Sequence, residues 1–186
     1  AGFGRTGRWW GYETSEFEPD IVSLGKPMGN GLPLAGVVAP LELVNAFRER
    51  TRYFNTFASS PLQAAVGMAV IDVIEEEGLI PRAAETGDYM RDALRGMQEG
   101  CAPMGDVRGD GLFTALEWVS DRVARTPDPE GANVIVNALR DHGVLLSRAG
   151  ANGNILKLRP PLAFDREHAD HFLSAFDTVV SGSQGG

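Results

Sequence analysis

A chain of 186 residues, 43% hydrophobic and 23% charged, is long enough to bury a core, and its formal charge of -8 sets 17 basic side chains against 25 acidic ones. Nucleic acid is a poor partner for such a surface, because phosphate affinity needs clustered Lys and Arg and here the arginines are scattered. No run of about 18 apolar residues offers a membrane span, and no basic-then-apolar leader opens the chain. Cys101 is the single cysteine, so no internal disulfide is available, and with only three histidines no metal site is expected. A small-molecule partner and a cytoplasmic location are the expectations.

In chain order, "IVSL" (21–24) is a short apolar run entered through "EPD" and left through a glycine loop, the pattern of a buried strand. "LAGVVAP" (34–40) is a second such run, stopped by Pro40, and "LELVNAFRER" (41–50) reads as a short amphipathic helix. "RYFNTFASSP" (52–61) reads as a strand end and loop. Ser59 or Ser60 then caps a helix with Pro61 in its first turn. That helix is apolar to Ile74 and is expected to be buried until it surfaces at Glu75–Glu77, with Gly78 closing it. A further helix is expected over about Pro81–Met97, with Ala84, Met90, Leu94 and Met97 near a 3.6 period.

From about Tyr89 the pattern changes to that of a small α+β unit. "VRGDGLFTALEWV" gives a Gly-Asp-Gly turn and a strand, and "ANVIVNALRDHG" an amphipathic helix ended by Gly143. "VLLS" and "NILKLRPPLAF" give strands around a glycine turn. "REHADHFLSAFDTVV" gives a closing helix with Ala169, Phe172, Leu173, Phe176 and Val180 on one stripe, and the tail 181–186 is expected to fray.

One of the chain's two lysines stands in "SLGKPMGNGLP", just past an apolar strand and hemmed by Gly25, Pro27 and Met28. Partial desolvation there would disfavour the ammonium and free an amine able to attack an aldehyde, that of pyridoxal phosphate included. The bland alternative is a surface lysine in a turn.

The neighbourhood favours the first reading. "GFGRTGRWWGYETSEFEPDIVSLGKPMGNGLPLAGVVA" resembles the core of the class III aminotransferases, the ω-aminotransferase-like branch of the fold type I pyridoxal-phosphate enzymes. "YFNTFASSPLQAAVGMAVIDVIEEE" is similar to that family's "TFGGNPLxxAAALAVLDVIEEE", "VRGDGLFTALEWV" to its small-domain strand and "LKLRPPLAF" to its "RxxPPL" segment. The resemblance implies an α/β fold: residues 1–88 as the C-terminal part of the large cofactor-binding domain, 89–180 as a small C-terminal α+β domain, and 181–186 as a flexible tail. It implies a homodimer with a shared active site that moves an amino group between an amine or amino acid and a keto acid.

Carried over residue by residue, Lys26 matches the lysine that holds pyridoxal 5'-phosphate and shuttles the substrate proton. Thr56 matches the threonine that hydrogen-bonds the cofactor phosphate across the dimer interface. Gly29, Asn30 and Gly31 match a tight turn beside the cofactor, while Arg5 and Trp9/Trp10 either line the approach or simply pack. Two departures stand out. Where many relatives place an arginine for a substrate carboxylate, Lys157 stands, with Arg159 two residues on and, by strand alternation, on the same face. That pulls toward the sub-branch of phospho-lyases acting on amino-alcohol phosphates. The family's aspartate for the pyridine nitrogen lies in a "DExQ" segment before "GFGRTG", outside these residues, so the chain is expected to be a fragment, inactive on its own. A catalytically inert truncated chain is the remaining alternative.

Overall fold

The computed structural model describes residues 1–182, and within them two apolar clusters engage one long helix, the smaller at its start and the larger further along it. The smaller cluster gathers Phe3, Ile74 and Leu79, with Trp9, Trp10, Met28, Val70, Ile80 and Leu162 packed against it. It organises the first part of the chain. Strands β1 (Val22–Leu24) and β2 (Gly36–Val38) form an antiparallel pair in the register Val22↔Val38, and a 3-10 turn at Lys26–Gly29 lies in the connection between them. Helix α1 (Leu41–Thr51) follows, then a loop, then α2 (Pro61–Glu76) and α3 (Leu79–Gly100). Gly78, at φ 59°, makes the left-handed step between α2 and α3.

The larger cluster holds one antiparallel sheet against helices. Its strands are β3 (Met104–Asp110), β4 (Phe113–Asp121), β5 (Thr126–Pro127), β6 (Ser147–Ala149) and β7 (Ile155–Leu158), in the order β3-β4-β7-β6 with β5 paired to β4. Leu116 and Trp118 of β4 and Leu156 and Leu158 of β7 face the cluster at alternate positions, as a two-residue period requires. Met90 and Leu94 of α3 cover them, with Ile135 and Leu139 of α4 (Pro129–Asp141) and Phe172, Phe176 and Val180 of α5 (Arg166–Gly182). The five residues predicted for the stripe of α5 are all buried. Asp128 caps α4 by accepting from the Gly131 N–H at 2.8 Å.

Several expectations need correction. Helix α2 is not buried: only Gly67 and Ile74 are, while Leu62, Met68 and Val73 face outward, because the lysine turn and α3 cover one side and nothing among the described residues covers the other. Likewise Val37 and Val38 of β2 are exposed, as is Ile21 just ahead of β1. Residues 52–60 contain no strand; Arg52 (φ 47°) and Ser59 (φ 61°) bend the loop, and the Asn55 side chain accepts from the Phe57 N–H at 3.0 Å. Strand β3 was not anticipated as a separate element, and "VLLS" contributes only Ser147 to β6. Helix α3 starts two residues before Pro81 and ends at Gly100 rather than Met97, and α5 continues through Gly182. The remainder of the tail, 183–186, lies outside the described residues.

Candidate active site

Lys26 opens the 3-10 turn directly after β1 and Gly25, with a left-handed φ of 47° that a side chain rarely adopts. Asn30, at φ 42°, closes the turn, and Gly31 follows at φ 106°. Such backbone persists only where its surroundings over-determine it. Helix α2 supplies them. Gly29 is buried under Leu34, Leu34 reaches so close to Gly67 that a Cβ there would stand 2.7 Å from its Cδ2, and Gln63 Nε2 donates to the Pro33 carbonyl at 2.6 Å. The Lys26 side chain itself is exposed and forms no hydrogen bond or ion pair among the described residues. The expected desolvation by Pro27 and Met28 is therefore not found: Pro27 is exposed, and Met28 packs toward the smaller cluster.

Thr56 lies in the exposed loop ahead of α2, on a cavity of about 430 Å³ shared with Leu32, Phe57, Ser60, Pro61 and Gln63. Ser60 is the N-cap residue without a side-chain capping bond, and the first α2 amide to find a helical acceptor is that of Ala64, bonded to the Ser60 carbonyl at 3.0 Å. The N–H groups before it have no intrahelical partner. Lys26 does not line this cavity.

Lys157 on β7 and Arg159 just beyond it share a second cavity, of about 850 Å³, as their alternation predicts. Its other charged or titratable walls are Glu167, His168 and His171 of α5. Lys26 is absent here too. The structure thus brings Lys157 and Arg159 onto one cavity and Thr56 onto another, and Lys26 lines neither.

What the sequence left open is the "GFGRTG" loop. The Arg5 guanidinium donates to the Pro160 carbonyl, while the Arg5 carbonyl accepts from the Leu112 N–H at 2.9 Å. Burial, and then the charge of Arg159, hold the Arg5 pKa below its ordinary value. Gly4 lies against Ile80 and Leu162, and the hairpin turn at Gly111 fits so tightly that a Cβ on it would lie 2.5 Å from the Thr6 carbonyl carbon. Trp10 packs edge-on against Phe3 at 5.4 Å between ring centroids. The loop is therefore a clasp across α3, the β3–β4 hairpin and the segment after β7, and the tryptophans pack. The left-handed glycines Gly4 and Gly7 were the signal for it.

The family profile described as aminotransferase class-III matches residues 1–180. The chain belongs to the class III aminotransferases. It is similar to a Drosophila melanogaster protein named alanine–glyoxylate aminotransferase 2-like, at 45% identity over 178 residues, 94% of this chain and 36% of that protein. A Caenorhabditis elegans ethanolamine-phosphate phospho-lyase homolog 1 is 38% identical over 184 residues, covering 97% of this chain and 39% of that one. Among solved structures, a phospholyase from Arthrobacter in complex with phosphoethanolamine superposes with a TM-score of 0.93 at 40% identity, over 97% of this chain and 43% of the other. An amine transaminase from an uncultivated Pseudomonas species in its pyridoxal-phosphate-bound form superposes at 0.86 with 31% identity, over 97% and 42%. These residues adopt the fold of the fold type I transaminases, as the sequence led us to expect, and the chain spans about two fifths of the length of these relatives.

Proposed function

We propose that this chain supplies the lysine and the substrate-anion end of a pyridoxal-phosphate-dependent class III aminotransferase, acting within a longer polypeptide and as a homodimer. Such an enzyme moves an amino group between an amine or amino acid and a keto acid in two half-reactions. The observation that carries the reading is Lys26: an unpaired primary amine on a strained turn that α2 locks in place, within a chain matched by the family over residues 1–180. The donor set suits the cofactor. Lys26 offers the amine its aldehyde needs, and the Thr56 hydroxyl beside the open first turn of α2 suits a phosphate dianion. When bound, the cofactor's ring draws electrons from the substrate's α-carbon. Lys26 would hold the cofactor and then take and return the α-carbon proton, its four-carbon stem giving the reach. Lys157 and Arg159 would bind the anionic end of the substrate and so orient it.

Thr56 lines a cavity that Lys26 does not, which suits a site shared between two subunits, each giving one of the pair. Mixing Lys26→Ala and Thr56→Ala subunits of the full-length protein should restore activity, since each heterodimer regains one intact site; heterodimers as inactive as the Lys26→Ala parent would rule out sharing. We assign residues 1–88 to the large domain and 89–180 to the small one on the same family resemblance. Cytoplasmic action rests on the single cysteine; relatives from Arabidopsis thaliana and Pongo abelii carry "mitochondrial" in their names, so fractionation of expressing cells is the test.

A second reading, elimination of phosphate from an amino-alcohol phosphate, is favoured by one observation. Lys157 and Arg159 put two cations on one cavity wall, which suits a dianion better than a carboxylate. The likeness to the Arthrobacter phospholyase supports it. Supplying the full-length enzyme with phosphoethanolamine and, separately, with an amine donor plus pyruvate decides between them: phosphate release without alanine formation favours the lyase, and alanine formation without phosphate release the transaminase.

A further inference from the structure

The segment from Arg159 to Leu162 leaves the sheet with almost no way to fix itself. Pro160 and Pro161 have no N–H to donate. Of their carbonyls, that of Pro161 accepts from the Phe164 N–H at 3.0 Å, and that of Pro160 accepts from the Arg5 guanidinium. Leu162 then seats against Gly4, where a Cβ would come within 3.3 Å of its Cδ2, and joins the cluster that also holds Met28, two residues from Lys26. One loop therefore grips both the exit of β7 and the ground beneath the lysine turn.

We propose that Arg5 is a positioning residue for the substrate's anionic end: by anchoring the Pro160 carbonyl it fixes Arg159, one residue earlier, at a set spacing from the Lys26 turn. The proposal rests on the reading that Lys157 and Arg159 bind that anionic end. Arg5 touches neither cofactor nor substrate. Its effect is felt as affinity for anionic substrates, with the chemistry at Lys26 left intact.

The test uses the full-length holoenzyme with two amino donors, L-alanine and the uncharged-tailed benzylamine, with phosphoethanolamine in place of alanine should phosphate release be the activity. Arg159→Gln should raise KM for the anionic donor about tenfold, the effect of losing one charge-assisted contact. Arg5→Gln should raise it by a similar factor, while kcat for benzylamine and the bound-cofactor absorbance stay within about twofold. Arg5→Lys keeps a donor for the carbonyl but a less directional one, so its KM for the anionic donor should fall between those of the unsubstituted enzyme and Arg5→Gln; should Arg5→Gln not fold, an Arg5→Lys KM equal to that of the unsubstituted enzyme overturns the proposal. The double variant Arg5→Gln/Arg159→Gln should be no worse than Arg159→Gln, since the two act through one contact. An unchanged KM in Arg5→Gln beside a raised KM in Arg159→Gln overturns the proposal and leaves the anion-end reading standing. Equal losses of kcat for both donors in Arg5→Gln make the residue merely structural and also overturn it. No effect of Arg159→Gln on KM defeats the anion-end reading itself, and the proposal with it.

Discussion

Alanine at position 87 should unfold this protein at a lower temperature, although glycine-to-alanine in a helix usually stabilises by about 1 kcal/mol. Gly87 lies buried in the middle of α3, and a Cβ on it would stand 2.0 Å from the Gly111 carbonyl oxygen and 2.3 Å from the carbonyl carbon. Both are backbone atoms, so no rotamer relieves the clash, and the β3–β4 turn must move. That oxygen also accepts from Nη1 of the buried Arg91 at 2.5 Å. Overpacking of this kind costs about 1–3 kcal/mol, and loosening a hydrogen bond to a buried charged group about 1.5–3 kcal/mol more. Set against the helical gain, the net loss is about 3 kcal/mol. For a protein of this size each kcal/mol shifts Tm by about 2–4 °C, so Gly87→Ala should melt about 6–12 °C lower. Thermal unfolding followed by circular dichroism reads this directly. A Tm equal to or above that of the unsubstituted protein would refute the close approach of α3 and the hairpin, and with it the seat of the Arg5 clasp.

Two further outcomes follow from side-chain environments. Asp165 accepts from the His168 backbone N–H at 3.1 Å and from the His168 ring, and these bonds lower its pKa. A depressed carboxyl stabilises the fold fully above its unfolded pKa of about 3.9 and loses that contribution as pH falls through the folded value. NMR titration should thus place the Asp165 midpoint below that of a free aspartate, and a midpoint at or above it would contradict the capping geometry. Cys101 is buried, and burial pushes its thiol pKa up, although the Met104 N–H and Arg122 oppose the shift. Iodoacetamide at pH 7.5 should label it only on unfolding, and rapid native labelling would show that the site opens.

Periodicity made α3, α4 and α5 legible, because each buries one stripe whose residues the sequence already spaces at 3.6. The stripe of α5 needed no tertiary information, whereas the start of α4 at Pro129, capped by Asp128, lies three residues ahead of the periodic segment that the sequence showed. Strand β3 was hidden because "MGDVRGD" is polar, and it forms as an edge strand whose Arg108 reaches Glu117 on β4 at 2.8 Å. "VLLS" misled in the opposite sense: Val144 and Leu146 are apolar because they pack against the main cluster, and the strand forms on Ser147–Ala149 instead. The burial of α2 was overestimated because an apolar sequence records that a face is to be covered, and here no described residue covers it. At the site, the pattern led to Lys26, Thr56, Lys157 and Arg159 one at a time. It put Lys157 and Arg159 on one face but could not show that Thr56 lines a cavity without Lys26, nor that Arg5 grips Pro160, because both depend on contacts between residues far apart in sequence.

The most direct test of Lys26 as the cofactor-holding amine is reduction with borohydride after incubation of the full-length protein with pyridoxal phosphate, followed by mass mapping of the peptides. The expected result is a single stable pyridoxyl adduct on Lys26, lost in Lys26→Ala. An adduct on Lys157 alone, or none on Lys26, would contradict the assignment.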